Sequence, residues 1–453
     1  MPRLFGTNGV RGVVNEDMNI ELASNLGMAI GTYLGGGKVA IGTDIRTSNQ
    51  MLKSAVISGL LATGSSIVDL GVVPTPVLQY FVKNSDTQHG VVITASHNPP
   101  RFNGIKCIDG DGTELSRENE EKIEELYFNK SFNKVSWDKI GVIEKDETAG
   151  ENYIQGVIGQ IDSESIKKAK LKVVLDCGNG TGGLFSPHML ERIGCKVVTL
   201  NANLSGTFPG HESEPTPENL KDLIEATVNF EADVGIAHDG DADRTIFIDE
   251  KGNYLYGDRI LALVAQEMLQ ENKGGLVVTT IASSLALEDV VKQNRGEIIY
   301  TRVGSPIVAR KMMEKNAIFG GEENGGLIFP KHQYCRDGGM AAAKVVEIIA
   351  KWGKSLSELV EKLPKYHLYK TKVQCPHEKK ASALEEFARS ITGKKVDKTD
   401  GVKIIMKDSW VLVRPSGTEP IYRIFAESKS QDEAKEIAEK NKKQIEDIIK
   451  GLP

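Results

Sequence analysis

The sequence predicts an α/β protein of several domains, three α/β units followed by a smaller α+β unit. Three observations carry this. At 453 residues the chain is too long for one core, since domains run to roughly 150 residues each. Up to Pro364, short apolar strand-like runs alternate with apolar residues at helical spacing, the pattern of helix-covered, largely parallel sheets. After Pro364 a strand and a helix give way to closely spaced strands, KIIMKDSWVLVR and IYRIFAESK, and an amphipathic helix begins at Ser430. The expected domains are 1–150, 151–253, 254–366 and 367–453.

In the first unit, Ile20, Ala23, Leu26, Ile30 and Leu34 lie on one helical face that ends at Gly35-Gly36-Gly37. A strand at Val39–Ile41 follows. Ser48 is expected to cap a second helix through Leu61, stopped by Gly64. Ser66–Leu70 and Val91–Thr94 are further strands. The alternation restarts near Leu171 (KVVLDCGNG) and near Gly275 (LVVTT). A charged, weakly patterned stretch, Asn129 to Gly150, separates the first two units, and Lys251-Gly252-Asn253 makes a turn near the next boundary.

Composition excludes several classes. The chain is 40% hydrophobic and 26% charged, and 62 acidic against 56 basic residues leave a net charge of −6. A broad nucleic-acid surface would need a basic stripe, so no nucleic acid is expected as partner. The five cysteines are scattered and never spaced as C-x-x-C, which suits a reducing compartment. The opening has no apolar leader, and no apolar run approaches the ~18 residues of a span. A cytoplasmic protein without a membrane partner, monomer or homodimer, is the expectation.

Four times a short apolar strand runs straight into a polar, glycine-bearing loop: GVVITASHNP, DVGIAHDGDADR, NAIFGGEENGG and SWVLVRPSGTEP. Each predicted domain contributes one. Taken singly, each is an ordinary strand exit. Ligands of open α/β sheets bind beyond the carboxyl ends of strands, and the combined chemistry of the four loops predicts one shared cleft.

Asp239, Asp241 and Asp243 are carboxylates at alternate positions, which repel unless a cation neutralises them, and hard oxygen donors suit Mg²⁺ or Ca²⁺. An EF-hand fails because Arg244 stands where its turn needs Gly and because strands flank the loop. Phosphate-suited loops elsewhere favour Mg²⁺. Ser96 follows a strand in Thr94-Ala95-Ser96-His97-Asn98-Pro99. In extended backbone His97 would point away from it, so a Ser-His dyad is not expected, and no G-x-S-x-G elbow is present. Read alone, this serine is a loop residue. A phosphoserine beside a cation would instead be an electrophilic phosphoryl donor.

Arg414, Ser416, Gly417, Thr418 and Arg423 suit a phosphate clamp, with hydroxyl donors, a close backbone and guanidinium forks. Glu322 and Asn324, among four glycines, could take vicinal sugar hydroxyls or form a solvated turn. Arg11, Lys106 and Arg244 are cations near these loops. Gly178-x-Gly180-x-x-Gly183 matches a dinucleotide fingerprint, but the next strand ends in Asn201 with no ribose-binding acid, and NAD is discounted. There is no Walker A sequence.

Together TASHNP, DGDADR, GEENGG and RPSGTEP, in that order, resemble the α-D-phosphohexomutase family from end to end. The FGTNGVRG opening is most similar to its phosphoglucosamine mutase branch, particularly the archaeal phosphoglucosamine/phosphomannomutase type. The resemblance implies three similar α/β domains with mixed sheets and a C-terminal α+β domain around a central cleft. It implies a phosphoprotein isomerase of carbohydrate metabolism in which Ser96 carries the phosphoryl group and binds Mg²⁺ with Asp239, Asp241 and Asp243. Glu322 and Asn324 would hold sugar hydroxyls. Arg414, Ser416, Gly417, Thr418 and Arg423 would hold the non-reacting phosphate, Arg11 and Lys106 would assist at the reacting end, and Arg244 would bind substrate. The implied substrate is a hexose phosphate, glucosamine phosphate first, passing through a hexose 1,6-bisphosphate. Phosphomannomutase or phosphoglucomutase activity, a phosphoserine-dependent phosphatase and a silent sugar-phosphate binder are the alternatives. Asn8, Ser305 and Asn324-Gly325-Gly326 depart from the family's commoner residues around the sugar.

Overall fold

Three of the four sheets repeat one strand plan. The computed structural model describes residues 3–6, 8–416 and 419–452. The first sheet runs, from one edge, Ile143–Lys145, Ser65–Val72, Gly37–Thr43, His89–Ile93, Phe102–Asp109 and Val10–Val13. The second runs Lys196–Leu200, Lys172–Asp176, Val234–His238, Thr245–Asp249 and Tyr254–Leu255. The third runs Gly296–Thr301, Gly275–Thr280, Phe319–Gly321, Leu327–Phe329 and Gln333–Arg336.

Leaving aside the extra edge strand of the first, each has two parallel pairings followed by two antiparallel ones. The sheets are therefore mixed and not largely parallel. The physical reason is local: a short loop joins the middle strand directly to its neighbour, and a direct loop can only reverse the chain. Those three hairpin loops are the ones carrying Ser96, the Asp triplet and Glu322. The fourth sheet, from His367–Gln374 to Lys395–Asp397, is wholly antiparallel, with Arg414 and Ser416 at the hairpin between Trp410–Pro415 and Ile421–Ser428.

Elements follow local chemistry. Helix Ile20–Leu34 is capped by Asn19, whose side chain accepts from Leu22 N, and ends on Gly35 at φ +65°, where only glycine is free of strain. Helix Asn49–Ala62 is not capped by the Ser48 side chain, contrary to expectation; that hydroxyl accepts from Asn103 Nδ2 at 2.8 Å instead. The charged stretch before Gly150 supplies the sixth strand of the first sheet.

One apolar core runs through the first three units. At its centre is helix Gly338–Trp352, buried along most of its length, whose Ala341, Ala342 and Ala343 let neighbours approach closely. Asp337 caps this helix by accepting from Met340 N at 2.9 Å. The C-terminal unit has its own core and joins the third through Ile281, Ala282, Trp410 and Leu412. The packing fixes the loops relative to one another. A side chain at Gly338 would lie 2.7 Å from Ala242 O, and one at Gly240 2.6 Å from Ser96 O.

Candidate active site

Ser96 is buried and its backbone is left-handed, φ +51°, a conformation a side chain disfavours unless its surroundings hold it. They do. Ser96 N donates to Thr94 Oγ1 at 2.9 Å, and that hydroxyl donates to Asp44 Oδ2 at 2.7 Å. Asp44 in turn accepts from Arg46 Nε at 3.0 Å. The Arg46 guanidinium then donates to the carbonyls of Ser96, Asn98, Pro99 and Phe102 at 2.7–2.9 Å. One buried arginine thus clamps the loop from four sides.

The left-handed turn overturns one expectation. It brings His97 Nδ1 to 3.3 Å from Ser96 Oγ, because the backbone is not extended there. Burial, with the Arg244 and Arg11 charges, pushes His97 far below its ordinary range, so the ring is neutral.

Ser96 Oγ donates to Asp239 Oδ2 at 2.7 Å. Asp239, Asp241 and Asp243 are all buried, and one carboxylate oxygen from each lies within 4.8 Å of the others. Cations from separate segments grip the outer oxygens. Lys106 Nζ donates to Asp241 Oδ2 at 2.8 Å and Asp243 Oδ2 at 3.4 Å. Thr75 Oγ1 donates to Asp241 Oδ2 at 2.6 Å, and Arg336 Nη2 to Asp243 Oδ2 at 2.5 Å. Arg244 Nε donates to Asp239 Oδ2 at 3.2 Å. This leaves Asp241 Oδ1 and Asp243 Oδ1 buried with no hydrogen-bond partner among the described residues. A buried carboxylate oxygen without a donor is costly, and two such hard oxygens within a close carboxylate triplet fit a divalent cation.

The charges respond to this setting. Burial, with Asp243 and Asp241 adding to it, pushes Asp239 up to about 7. Burial would also raise Asp241, but Lys106, Thr75 and Arg11 outweigh it and hold that carboxyl far below its usual range. Arg11 Nη1 donates to Ala95 O at 3.1 Å and Asn98 Oδ1 at 2.8 Å, and burial lowers its pKa against the pull of Asp241 and Asp243.

Glu322 is buried between two donors, Gly304 N to Oε1 at 3.0 Å and Arg336 Nη1 to Oε2 at 3.4 Å; burial raises its pKa. Asn324 is half-buried and its Oδ1 accepts from Gly326 N at 3.2 Å. Arg414 Nε donates to Asp400 Oδ2 at 2.6 Å, and the same oxygen accepts from Val303 N at 3.0 Å. Ser416 Oγ accepts from Glu419 N at 3.1 Å. Arg423 lies opposite Arg414 in the hairpin and pairs, exposed, with Glu419 at 2.7 Å. Gly417 and Thr418 lie outside the described residues.

The four loops are therefore one connected array. Links run from Ser96 to Asp239, across Arg244 to Asp243, through Arg336 to Glu322, over Gly304 and Val303 to Asp400, and on to Arg414. Sequence reasoning missed Arg46, Asp44, Thr75, Arg336 and Asp400. Arg336 alone had a signal, an arginine at the end of a short strand beside Asp337-Gly338.

Four models of the phosphoglucomutase/phosphomannomutase family match the chain. They are its α/β/α domain I over residues 2–134, domain II over 151–252, domain III over 256–366 and the C-terminal domain over 371–444. The chain is 48% identical over 458 residues to a phosphoglucomutase/phosphomannomutase of Thermococcus kodakarensis, covering 100% of both. It is 42% identical to a phosphoglucosamine/phosphogalactosamine mutase of Sulfurisphaera tokodaii, over 98% of this chain and 100% of the relative. Among solved structures, a phosphoglucomutase/phosphomannomutase family protein of Burkholderia thailandensis superposes with a TM-score of 0.87 at 28% identity, over 98% of this chain and 96% of that one.

Proposed function

The chain belongs to the phosphoglucomutase/phosphomannomutase family, and from that premise we propose that it interconverts hexose 6-phosphates and hexose 1-phosphates through a phosphorylated Ser96. The observation that carries this is Ser96 Oγ at 2.7 Å from Asp239, inside a carboxylate triplet with two oxygens that accept no hydrogen bond among the described residues. Among the described residues the near bases of Ser96 are Asp239, which accepts from its hydroxyl, and His97, which is buried and hard to protonate. The serine is well placed to carry a phosphoryl group.

In the first transfer a sugar hydroxyl oxygen bonds to phosphorus while the bond from phosphorus to Ser96 Oγ breaks, the hydroxyl proton ending on Ser96 Oγ, giving a hexose 1,6-bisphosphate. In the second, after the sugar has turned over, Ser96 Oγ bonds to the other phosphorus while that phosphorus parts from its sugar oxygen, and the serine proton ends on the freed sugar hydroxyl. Asp239, Asp241 and Asp243 would hold Mg²⁺, which supplies charge neutralisation at the transferring phosphoryl group when bound. Arg11 and Lys106 stand at the reacting end, Arg244 beside it, and Glu322 and Asn324 at the sugar. Arg414, Ser416, Gly417, Thr418 and Arg423 hold the distal phosphate. On this reading the units 1–150, 151–253, 254–366 and 367–453 each supply one of these loops. No described helix is long and apolar enough to cross a membrane, in keeping with a cytoplasmic place of action.

For the sugar, glucosamine phosphate ranks first, with activity on glucose and mannose phosphates. The FGTNGVRG opening favours the first, and the relatives named above bear both kinds of name.

The test has two arms. Mass spectrometry of purified protein should find phosphate on Ser96, and Ser96→Ala should fold yet lose mutase turnover. A Ser96→Ala variant with near-parental turnover would sink the phosphoserine mechanism. A coupled assay over the three sugar phosphates checks the ranking, and glucose or mannose phosphate far ahead of glucosamine phosphate would reverse it.

A further inference from the structure

We propose that Arg336 is the positioning residue that locks the carboxylate of Glu322 in register with the Ser96–Asp243 centre, an assignment resting on the hexose-phosphate reading above. Arg336 closes the strand Gln333–Arg336 and is buried. One arm of its guanidinium reaches Asp243 Oδ2 at 2.5 Å and the other Glu322 Oε2 at 3.4 Å. In the array described above, it is the side chain that joins the carboxylate triplet to the sugar loop.

Three features show that the arrangement is built. First, the path of the side chain is reserved: a Cβ at Gly326 would lie 2.2 Å from Arg336 Cδ and 2.8 Å from Cγ. A side chain at 326 and Arg336 in this place exclude one another, which is a reason for the second glycine in Asn324-Gly325-Gly326. Second, the next residue anchors the backbone. Asp337 accepts from Met340 N at 2.9 Å, Tyr153 Oη at 2.5 Å and Gln333 Nε2 at 2.7 Å. Third, among the described residues the Glu322 carboxylate is otherwise held only by Gly304 N at 3.0 Å. With one donor on each oxygen its plane is fixed, and the second lone pair of each oxygen remains for a hydroxyl. A planar fork can hold two carboxylates at a set separation, which an ammonium cannot.

A role confined to neutralising Asp243 makes a different forecast, and the two separate in a binding experiment. The protein is first dephosphorylated on Ser96, so that added hexose monophosphate is bound but not turned over. The dissociation constant of glucose 6-phosphate is then measured by calorimetry for the parent, R336M, R336K, E322Q and R336M/E322Q. If Arg336 acts through Glu322, R336M and E322Q each weaken binding about tenfold or more, the worth of a charge-assisted hydrogen bond. The double variant then binds no worse than the weaker single, because both remove the same interaction. R336K keeps a cation beside Asp243 but loses the fork, so it binds as weakly as R336M, and it carries the test should R336M fail to fold.

Parental affinity in R336K, or losses that multiply in the double variant, would overturn the assignment. If the parent itself does not bind glucose 6-phosphate or glucosamine 6-phosphate, the hexose-phosphate reading falls and takes this assignment with it. If the parent binds and the variants bind equally well, only Arg336 is misassigned.

Discussion

Arg46 offers the sharpest test of how the Ser96 loop is held. Its guanidinium is buried, pairs with Asp44 at 3.0 Å and donates to four loop carbonyls at 2.7–2.9 Å. Arg46→Lys keeps a charge near Asp44 but offers three donors from one point, so at least two of these five acceptors lose their partner. Each unpaired buried acceptor costs about 1–3 kcal/mol, and the contacts to Asn98, Pro99 and Phe102 lie close enough to solvent for water to recover part of it. The expected loss is about 2–4 kcal/mol for local opening of the loop. In a chain of several domains a single unfolding midpoint would blur this. Hydrogen–deuterium exchange over residues 94–104 reads it directly. The amides there should exchange about 30-fold faster or more, while the strands of the second and third sheets keep their parental protection. Mutase turnover should fall with it, because Ser96 sits at a positive φ that only its surroundings enforce. Exchange within threefold of the parent would refute the clamp.

Two further outcomes follow from the charges. Losing Arg414 should cost about tenfold or more per transfer, and Arg414→Ala should release hexose 1,6-bisphosphate and depend on its addition; parental turnover without a leak would remove Arg414 from the distal phosphate site. Asp258 is buried, and burial with Glu323 and Glu427 nearby pushes its carboxyl up to about 8. Its folded pKa thus exceeds an unfolded value of about 4, so its contribution to stability is complete below that value and is lost as pH rises toward 8. Asp258→Asn should escape this loss, and the local opening free energy read by hydrogen–deuterium exchange over helix Gly257–Asn272 should gain on the parent between pH 5 and pH 8, by a difference on the order of a few kcal/mol. A gap that stays constant or narrows over that range would contradict the shift.

The loops were legible because their chemistry is local. TASHNP, DGDADR and GEENGG each combine a strand exit with residues of one task, and the helical face from Ile20 to Leu34 is written in its spacing. What was not legible is long-range. Whether a sheet is parallel depends on which strands become neighbours, and the hairpins after His89–Ile93, Val234–His238 and Phe319–Gly321 reverse direction at the loops themselves. Ser48 lost its capping role to Asn103, 55 residues away. Arg46 and Asp400 look like surface charges in sequence, because nothing local tells that their partners arrive from other segments. The position of His97 depended on one backbone angle at Ser96, which no residue pattern announced.

The electrostatic balance of the centre implies that phosphate and metal bind together. Asp239, Asp241, Asp243 and Glu322 face Arg11, Lys106, Arg244 and Arg336, four carboxylates against four cations. The unphosphorylated centre is therefore close to neutral, and a dication alone would leave it with excess positive charge in a buried place. Phosphorylating Ser96 adds about −1.5 to −2, which a Mg²⁺ ion on the free Asp241 and Asp243 oxygens would cancel. Opposite charges about 4 Å apart attract by about 4 kcal/mol per unit pair even at an effective dielectric near 20. Mg²⁺ should thus bind the phosphorylated protein at least about tenfold more tightly than the dephosphorylated one. By reciprocity the metal should stabilise the phosphoserine form against loss of its phosphate to an added acceptor by the same equilibrium factor. Calorimetric titration of Mg²⁺ into the two forms, with phosphate on Ser96 verified by mass, measures the difference without any turnover. Equal affinities would mean that the four cations already neutralise the phosphoserine unaided and that the Asp triplet serves another purpose.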